Sequence, residues 1–143
     1  MLHLEIITPQ SVAWQGEVDA VALPTGDGEI VVLPHHVPLV ATIVPGTVTV
    51  SIGSAEHVFA VSRGVMEVDG LHMRILTDIA DPADALDEAA IEEAKRKAEV
   101  LMTEKRHDVE GFAEATAILE RELARLKTVR HHRARRPTSP PAP

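Results

Sequence analysis

Residues 71–101 read LHMRILTDIADPADALDEAAIEEAKRKAEVL, and the pattern of the chain changes inside them. In 71–79, Leu71, Met73, Ile75 and Ile79 share one face of an extended chain. His72, Arg74 and Asp78 take the other, together with the apolar Leu76. A period of two with one wet face is the pattern of an antiparallel sheet. The Asp81-Pro82 step then marks a boundary and linker, because the residue before a proline is pushed out of helical geometry. Beyond it the period lengthens, and Ile91, Ala94, Ala98 and Leu101 recur on one helical face. Asp84 is placed to cap that helix by accepting a backbone N–H, and Asp87, three residues on, favours the helix dipole. Charges cover the rest, with Glu92→Arg96 and Glu93→Lys97 at the favourable i,i+4 spacing.

Upstream, the same alternation recurs. Leu2, Leu4 and Ile6 alternate with His3, Glu5 and Ile7, and TVTVSI at 47–52 puts Val48, Val50 and Ile52 on one face. Turn signals stand between such runs: Gly26-Asp27-Gly28, Pro45-Gly46, Gly53-Ser54 and Asp69-Gly70. Asp-Gly between two alternating runs is a hairpin signal. About eight to ten short strands at this spacing predict a β-sandwich or flattened barrel over 1–82. Downstream, a break around His107 to Gly111, with Asp108 as the second cap, separates a second helix that carries Phe112, Ala115, Leu119, Leu123 and Leu126 on one face. Two amphipathic helices with a short break predict an antiparallel two-helix hairpin over 83–130. Residues 131–143 form a basic, proline-rich tail expected to be disordered, with four prolines in 137–143 alone. The fold class is α+β.

Composition agrees with this division. Residues 1–80 hold 14 of the 17 valines and 7 of the 8 glycines, with 9 acids against 2 bases, Arg63 and Arg74. Residues 81–143 hold 13 acids and 12 bases, so most of the formal charge of −8 belongs to the first part. Valine and glycine suit strands and turns, while Ala, Glu, Lys, Arg and Leu suit helix. Much of the hairpin's apolar face is alanine. A buried methyl contributes only about 0.8 kcal/mol against roughly 1.5–3 for a leucine, so the hairpin must lie on the sandwich, on a partner, or alternate between them.

Several functions are disfavoured at once. The 143 residues contain no cysteine, which removes disulfides, thiolate metal sites and cysteine catalysis. No run of about 18 apolar residues supplies a membrane helix, and MLHLEIITPQ lacks the layout of a secretory signal. With Trp14, Phe59 and Phe112 as the aromatics, base-stacking nucleic-acid modules have no platform. There is no G-x-S-x-G elbow and no H-E-x-x-H, and Gly26-Asp27-Gly28-Glu29 places acids where a phosphate would sit. His35 and His36 point opposite ways if Pro34 and Pro38 keep that stretch extended, so they read as surface histidines rather than metal ligands. His131 and His132 read as part of a solvated tail. From Arg125 to Arg136 there are six bases and no acid. This suits a nucleic-acid arm, an acidic protein surface, or a helix C-terminus complementing its dipole, and the overall negative charge favours the last. An enzyme is the least favoured class, since no nucleophile, base and oxyanion donors group together.

An ordered string of motifs gives a further expectation. Residues 26–46 read GDGEIVVLPHHVPLVATIVPG, followed by Arg63-Gly64, Leu86-Asp87-Glu88-Ala89 and Glu93-Ala94-Lys95-Arg96-Lys97-Ala98-Glu99. In order and spacing, over roughly residues 2–130, this resembles the epsilon subunits of bacterial F-type ATP synthases. The family's usual glycines are replaced here by Val31 and His35, and the basic extension past about residue 130 is not a general family feature. The resemblance implies a non-catalytic rotor subunit of a proton-translocating machine. Such a subunit binds the gamma subunit and the c-ring and couples proton flow to ATP synthesis. It is peripheral, without membrane insertion, on the cytoplasmic side of the bacterial cell membrane. Glu29, His36, Pro38 and Leu39 match its gamma and c-ring contact segment. The hairpin would be able to extend to the alpha/beta catalytic head and inhibit ATP hydrolysis, with Arg121, Arg125, Lys127 and Arg130 meeting acids there. Some members bind ATP through an Ile or Leu, Asp, two variable residues, Arg and Ala. Here Asp87 is kept, Ala90 and Ile91 replace the last two, and Arg121 and Arg125 match two basic positions on the second helix. One lost charged hydrogen-bonding group costs roughly 1.5–3 kcal/mol, so no cofactor is expected and ATP binding should be weak or absent. The alternative is a free-standing β-sandwich binding module whose basic arm takes an acidic protein partner or nucleic acid.

Overall fold

Period-two alternation becomes alternating buried and exposed rows along the first 82 residues of the computed structural model, which describes residues 1–135. The strands are β1 Leu2–Ile7, β2 Val12–Val18, β3 Ala20–Thr25, β4 Gly28–Val32, β5 His36–Ile43, β6 Gly46–Ile52, β7 Ala55–Val61, β8 Gly64–Gly70, β9 His72–Thr77 and β10 Ala80–Pro82. They run in the order β10-β7-β6-β3-β5-β8-β9-β1-β2, with β4 on the free side of β3. The join between β3 and β5 is a single paired position, Thr25 opposite Ile43. The order therefore divides there into two layers, β10-β7-β6-β3-β4 and β5-β8-β9-β1-β2. All pairs are antiparallel except β1 with β9, which is parallel.

The layers face each other across one apolar interior. Leu2, Leu4 and Ile6 of β1, Met73 and Ile75 of β9 and Met66 of β8 meet Val21 and Leu23 of β3, Val48 and Val50 of β6 and Phe59 of β7. Complete burial of a leucine or valine contributes roughly 1.5–3 kcal/mol. The interior holds a single phenylalanine, so closure depends on many such aliphatic side chains. Trp14 packs against its edge, its ring 5.9 Å from that of His57. In β9 the inward row is Met73, Ile75 and Thr77. Leu71 lies instead in the turn, exposed, and Ile79 follows the strand, half-buried. Thr77 takes the third inward place because its hydroxyl is satisfied locally, donating to the Ile79 carbonyl at 2.7 Å.

Each turn signal marks a real connection. Gly70 joins β8 to β9 with φ +64, and Gly53 joins β6 to β7 with φ +57, its N–H donating to Asp19 at 2.6 Å. The stretch at Pro34-His35 is not extended. It is a turn in which His35 has φ +66, the positive-φ non-glycine among the described residues. Proline followed by a positive-φ residue is the pattern of a type II turn, which normally has glycine second. His35 stands where the resemblance led us to expect glycine, so the backbone shape is retained with a side chain added.

Asp81-Pro82 is part of the sheet rather than a linker. Ala80, Asp81 and Pro82 pair with Val61, Ala60 and Phe59 as the edge strand β10. Proline is tolerated there because an edge strand has one side without ladder bonds. A 3-10 turn, Ala83–Ala85, follows. It holds Asp84, so the helix cap falls to Asp87, whose carboxylate accepts from the Ala89 N–H at 3.1 Å. Leu86, extended at φ −95 and ψ 135, separates the two. Helix α1 is Glu88–Glu104 and α2 is Val109–Arg135, with the Asp108 carbonyl accepting from the Phe112 N–H at 2.8 Å. Thus 131–135, expected in the tail, are helical. Residues 136–143 lie outside the described residues.

The helices lie side by side and α2 rests on β6 and β7. Ile91 and Ala98 of α1 are buried as the stripe requires, whereas Leu101 is exposed. On α2, Ala115 and Leu126 are buried but Phe112 and Leu123 are exposed. The arc that is buried includes Ala124, Thr128, Val129 and Glu122. At about 100° per residue it is rotated by roughly a third of a turn from the leucine stripe. The rotation has a steric cause: α2 must face both a sheet and α1, and only its small residues let it lie close to the sheet. The Glu93–Lys97 pair forms at 3.5 Å, whereas Glu92 pairs with Arg130 of α2 rather than with Arg96.

Two substitutions test this backbone reading. A Cβ on Gly64 would stand 2.0 Å from the Leu76 carbonyl oxygen and 2.8 Å from a Thr77 methyl. Gly64→Ala should therefore cost about 2–3 kcal/mol and lower the melting temperature by roughly 10 °C. A melt within about 2 °C of the parent would refute the close approach. At His35, glycine relieves the left-handed backbone while β-branched valine aggravates it. His35→Gly should be at least about 1 kcal/mol more stable than His35→Val in urea unfolding, and equal midpoints would show that φ at 35 is not positive in solution.

Candidate functional site

The four residues expected to meet partners are not gathered in one place: Glu29 lies on the outer side of the first layer, whereas Pro38 and Leu39 line a groove on the outer side of the second. Glu29 lies on β4 opposite Pro24, exposed. It shares a groove of about 340 Å³ with Lys127 and His131 from the end of α2. His36 begins β5 opposite Gly70, its Nδ1 2.7 Å from the Val37 carbonyl oxygen. Pro38 falls in the irregular register between His36 and Leu39, and Leu39 resumes pairing opposite Val68 while packing on the core. Pro38 and Leu39 line a second groove, about 520 Å³, together with His3, Glu5, His72 and Arg74. Glu29 is not part of that groove.

Around these residues the sandwich exposes more apolar surface than expected. Val31 is 54% exposed, Leu33 55%, Val37 72% and Val40 70%. They do not share one face: Val31 lines the groove on the outer side of the first layer, Val40 the groove on the outer side of the second, and Leu33 and Val37 flank the turn that joins β4 to β5. Alternation does not mark them as a set, because Val37 and Val40, three residues apart, would fall on opposite faces of a regular strand, and both are exposed owing to the irregular register between His36 and Leu39. Beside them, the outer face of the second layer carries Glu67 opposite Arg74, with Arg74 opposite Glu5, and His3 opposite both Glu17 and His72. Arg74 lies 3.4 Å from Glu67 and 3.7 Å from Glu5, and His3 Nδ1 lies 2.9 Å from Glu17. The wet faces of β1 and β9 were readable separately. The parallel pairing that joins them into one charged row was not.

The basic residues of α2 are largely engaged within the chain. Arg125, half-buried, donates from Nε to Asp81 of β10 at 2.7 Å and from its terminal nitrogen to the buried Glu122. Burial works against its charge, but the hydrogen bonds and charges of Asp81 and Glu122 outweigh that and raise its pKa above the usual guanidinium value. Arg130 bonds Glu88 at 3.1 Å and Glu92 at 2.7 Å, and Arg133 also reaches Glu88. Arg121 donates to the Ala117 carbonyl of its own helix at 3.4 Å, while Lys127 is exposed. The sandwich contributes Arg63, which meets Glu120 of α2 at 2.9 and 3.1 Å. That hydrogen bond and then the charge of Glu120 raise the Arg63 pKa.

The residues matched to a nucleotide motif are not brought to one place. Asp87 caps α1 and lines a cavity of about 670 Å³ with Asp84, Glu88 and Glu92 on the α1 side and His132 and Arg133 on the α2 side. Arg121 lines a different cavity, beside Arg63 and Phe112. Among the described residues no three His, Asp or Glu side chains group as metal ligands, and no helix is long and apolar enough to cross a membrane.

Residues 1–83 match the family model described as ATP synthase, Delta/Epsilon chain, beta-sandwich domain. Along nearly the whole chain, the sequence is 37% identical to the ATP synthase epsilon chain of Chloroflexus aggregans, covering 94% of this chain and 96% of that one. This chain belongs to the ATP synthase epsilon family. The epsilon chain of Dehalococcoides mccartyi is 36% identical over 92% of this chain and 94% of its own length. Among solved structures, this epsilon-family chain has the fold of a chain in the Euglena gracilis mitochondrial ATP synthase, described as OSCP/F1/c-ring. The TM-score is 0.72 at 23% identity, over 83% of this chain and 75% of the other. The two epsilon-chain matches, at 94% and 92% of this chain, extend across both sandwich and hairpin.

Proposed function

We propose that this chain is a non-catalytic rotor subunit of a proton-translocating F-type ATP synthase. It binds the gamma subunit and the c-ring and couples proton flow to ATP synthesis. It is held on the cytoplasmic face of a bacterial cell membrane by those partners rather than by lipid. The observation that carries the reading is the 37% identity to an epsilon chain across sandwich and hairpin together. The surface supports it. Exposed Leu33 and Val37 stand beside His36 and Pro38 at the β4–β5 connection, and exposed Val40 follows Leu39 on β5, giving apolar side chains free to meet a partner. The charged outer row of β8, β9 and β1 gives orientation to a docked gamma subunit.

The hairpin is the inhibitory element of the same reading. Extended into the alpha/beta catalytic head, it presents Arg121, Arg125, Lys127 and Arg130 to acids there. Single exposed ion pairs are worth less than about 1 kcal/mol, so inhibition requires several at once. Arg125 and Arg130 already have partners in the folded hairpin, so extension exchanges internal pairs for external ones rather than creating them from free charges.

The purified chain mixed with a gamma subunit from the same organism should elute as a 1:1 complex in size-exclusion chromatography with light scattering. Val37→Lys with Val40→Lys should weaken the assembly while leaving the melt of the isolated chain within about 2 °C, since both side chains are exposed. No complex at micromolar concentration would count against the rotor reading. ATP should bind weakly or not at all. Asp87 is committed to capping, Arg125 to Asp81 and Glu122, and the cavity wall at α1 is acidic. Calorimetric titration with ATP and magnesium giving a low-micromolar dissociation constant would reverse that conclusion.

A further inference from the structure

The apolar interior of the sandwich and that of the hairpin do not merge. The first is built from strand residues, and the second from Ile91, Leu126 and Val129 with Leu86 packed on them. Between them lies a contact of small side chains. Ala60 and Val58 of β7 face away from the sandwich interior yet are buried, as are Ala124 and Thr128 on α2. Small residues permit close approach but remove little apolar area from water, so this seam supplies little of the hydrophobic stabilisation that holds the sandwich. The polar contacts across it are specific. The Thr47 and Thr128 hydroxyls are 2.8 Å apart in its middle. Arg125, half-buried, meets Asp81, and on the exposed border Arg63 meets Glu120.

We propose that these two ion pairs form a latch, so that docking of the hairpin on the sandwich is set by ionic strength and charge rather than by apolar packing. Arg125 is the stronger member. It lies in the middle of the buried arc of α2, and its partner Asp81 sits on the last strand before the chain leaves the sheet. The latch therefore closes at the hinge, where a small movement separates the pair. The contacts of Arg130 and Arg133 with Glu88 and Glu92 join α2 to α1 and are of a different kind. They keep the hairpin together as a unit and do not resist its departure from the sandwich. Salt acts on the exposed Arg63–Glu120 pair most directly, because screening shortens from about 10 Å at 0.1 M to about 3 Å at 1 M. An apolar seam behaves the opposite way, being unaffected or tightened by added salt. The latch concerns the isolated chain and stands whether or not the hairpin acts on a catalytic head.

The chain has no cysteine, so Ser54→Cys and Val100→Cys, both at exposed positions, accept spin labels without further change. Electron–electron distance measurements then read docked and undocked populations in the full chain. The docked-to-undocked ratio should fall at least threefold between 0.1 M and 1 M sodium chloride. Asp81→Asn should lower it at least threefold at 0.1 M. Arg63→Glu and Glu120→Arg should each lower it, and the double charge swap should recover most of the loss, which a misfolded variant would not do. A ratio that is unchanged or rises with salt overturns the latch. So does a single docked distance under every condition, a chain already undocked at 0.1 M, or a swap that restores nothing.

Discussion

Two sheets that each have one apolar face can satisfy them only against each other, and every other feature of this chain follows from that pairing. Leu2, Leu4, Ile6, Val48, Val50 and Ile75 are wholly buried because their strands keep strict alternation. One residue of slippage in any of them would turn its apolar row to water. The register also fixes what faces outward. His3, Glu5, Arg74 and Glu67 form a charged row because Leu4, Met73 and Met66 beside them point in. The interior is aliphatic rather than aromatic, so no single side chain dominates it, and the constraint is spread over the full width of both layers.

The helices answer to a weaker constraint. The sheet offers them Thr47, Val58 and Ala60, a surface already satisfied in its hydrogen bonds and poor in apolar relief. Helix α2 responds by turning Ala124 and Thr128 to the sheet and Leu126 and Val129 to α1, which leaves Leu123 exposed. Arginine then appears where leucine would be expected, at the centre of the buried arc. It is tolerated there because Asp81 and Glu122 flank it on either side.

Most of the architecture was legible in the sequence because alternation, turn dipeptides and helical period are local signals. The strand count and the Glu93–Lys97 pair rest on such signals. What was not legible depends on distant parts of the chain. The leucine stripe of α2 was read as its buried face, whereas the shape of the sheet beneath decides which face is buried. Glu92 prefers Arg130, 38 residues away, to Arg96 one turn on. Asp84 satisfies the grammar of a cap, but a 3-10 turn takes it and Asp87 serves. Glu29, His36, Pro38 and Leu39 were singled out by motif order, while the exposure of Val31, Leu33, Val37 and Val40 emerges only from the fold.

The parallel neighbours β1 and β9 carry a consequence for how the protein is made. β1 leaves the ribosome before the other nine strands of the sandwich, and its place is in the interior of a layer, between β2 and β9. β9 ends at residue 77, so β1 must wait with one edge and one apolar face uncovered until almost the whole sandwich has been synthesised. Long-range pairing of this kind makes folding slow and leaves the nascent chain open to mispairing. The helices follow the strands and complete nothing in the sandwich interior. The sandwich can therefore close as a finished unit while the hairpin is still emerging, and the order of synthesis already separates the part that holds the main apolar interior from the part laid against it.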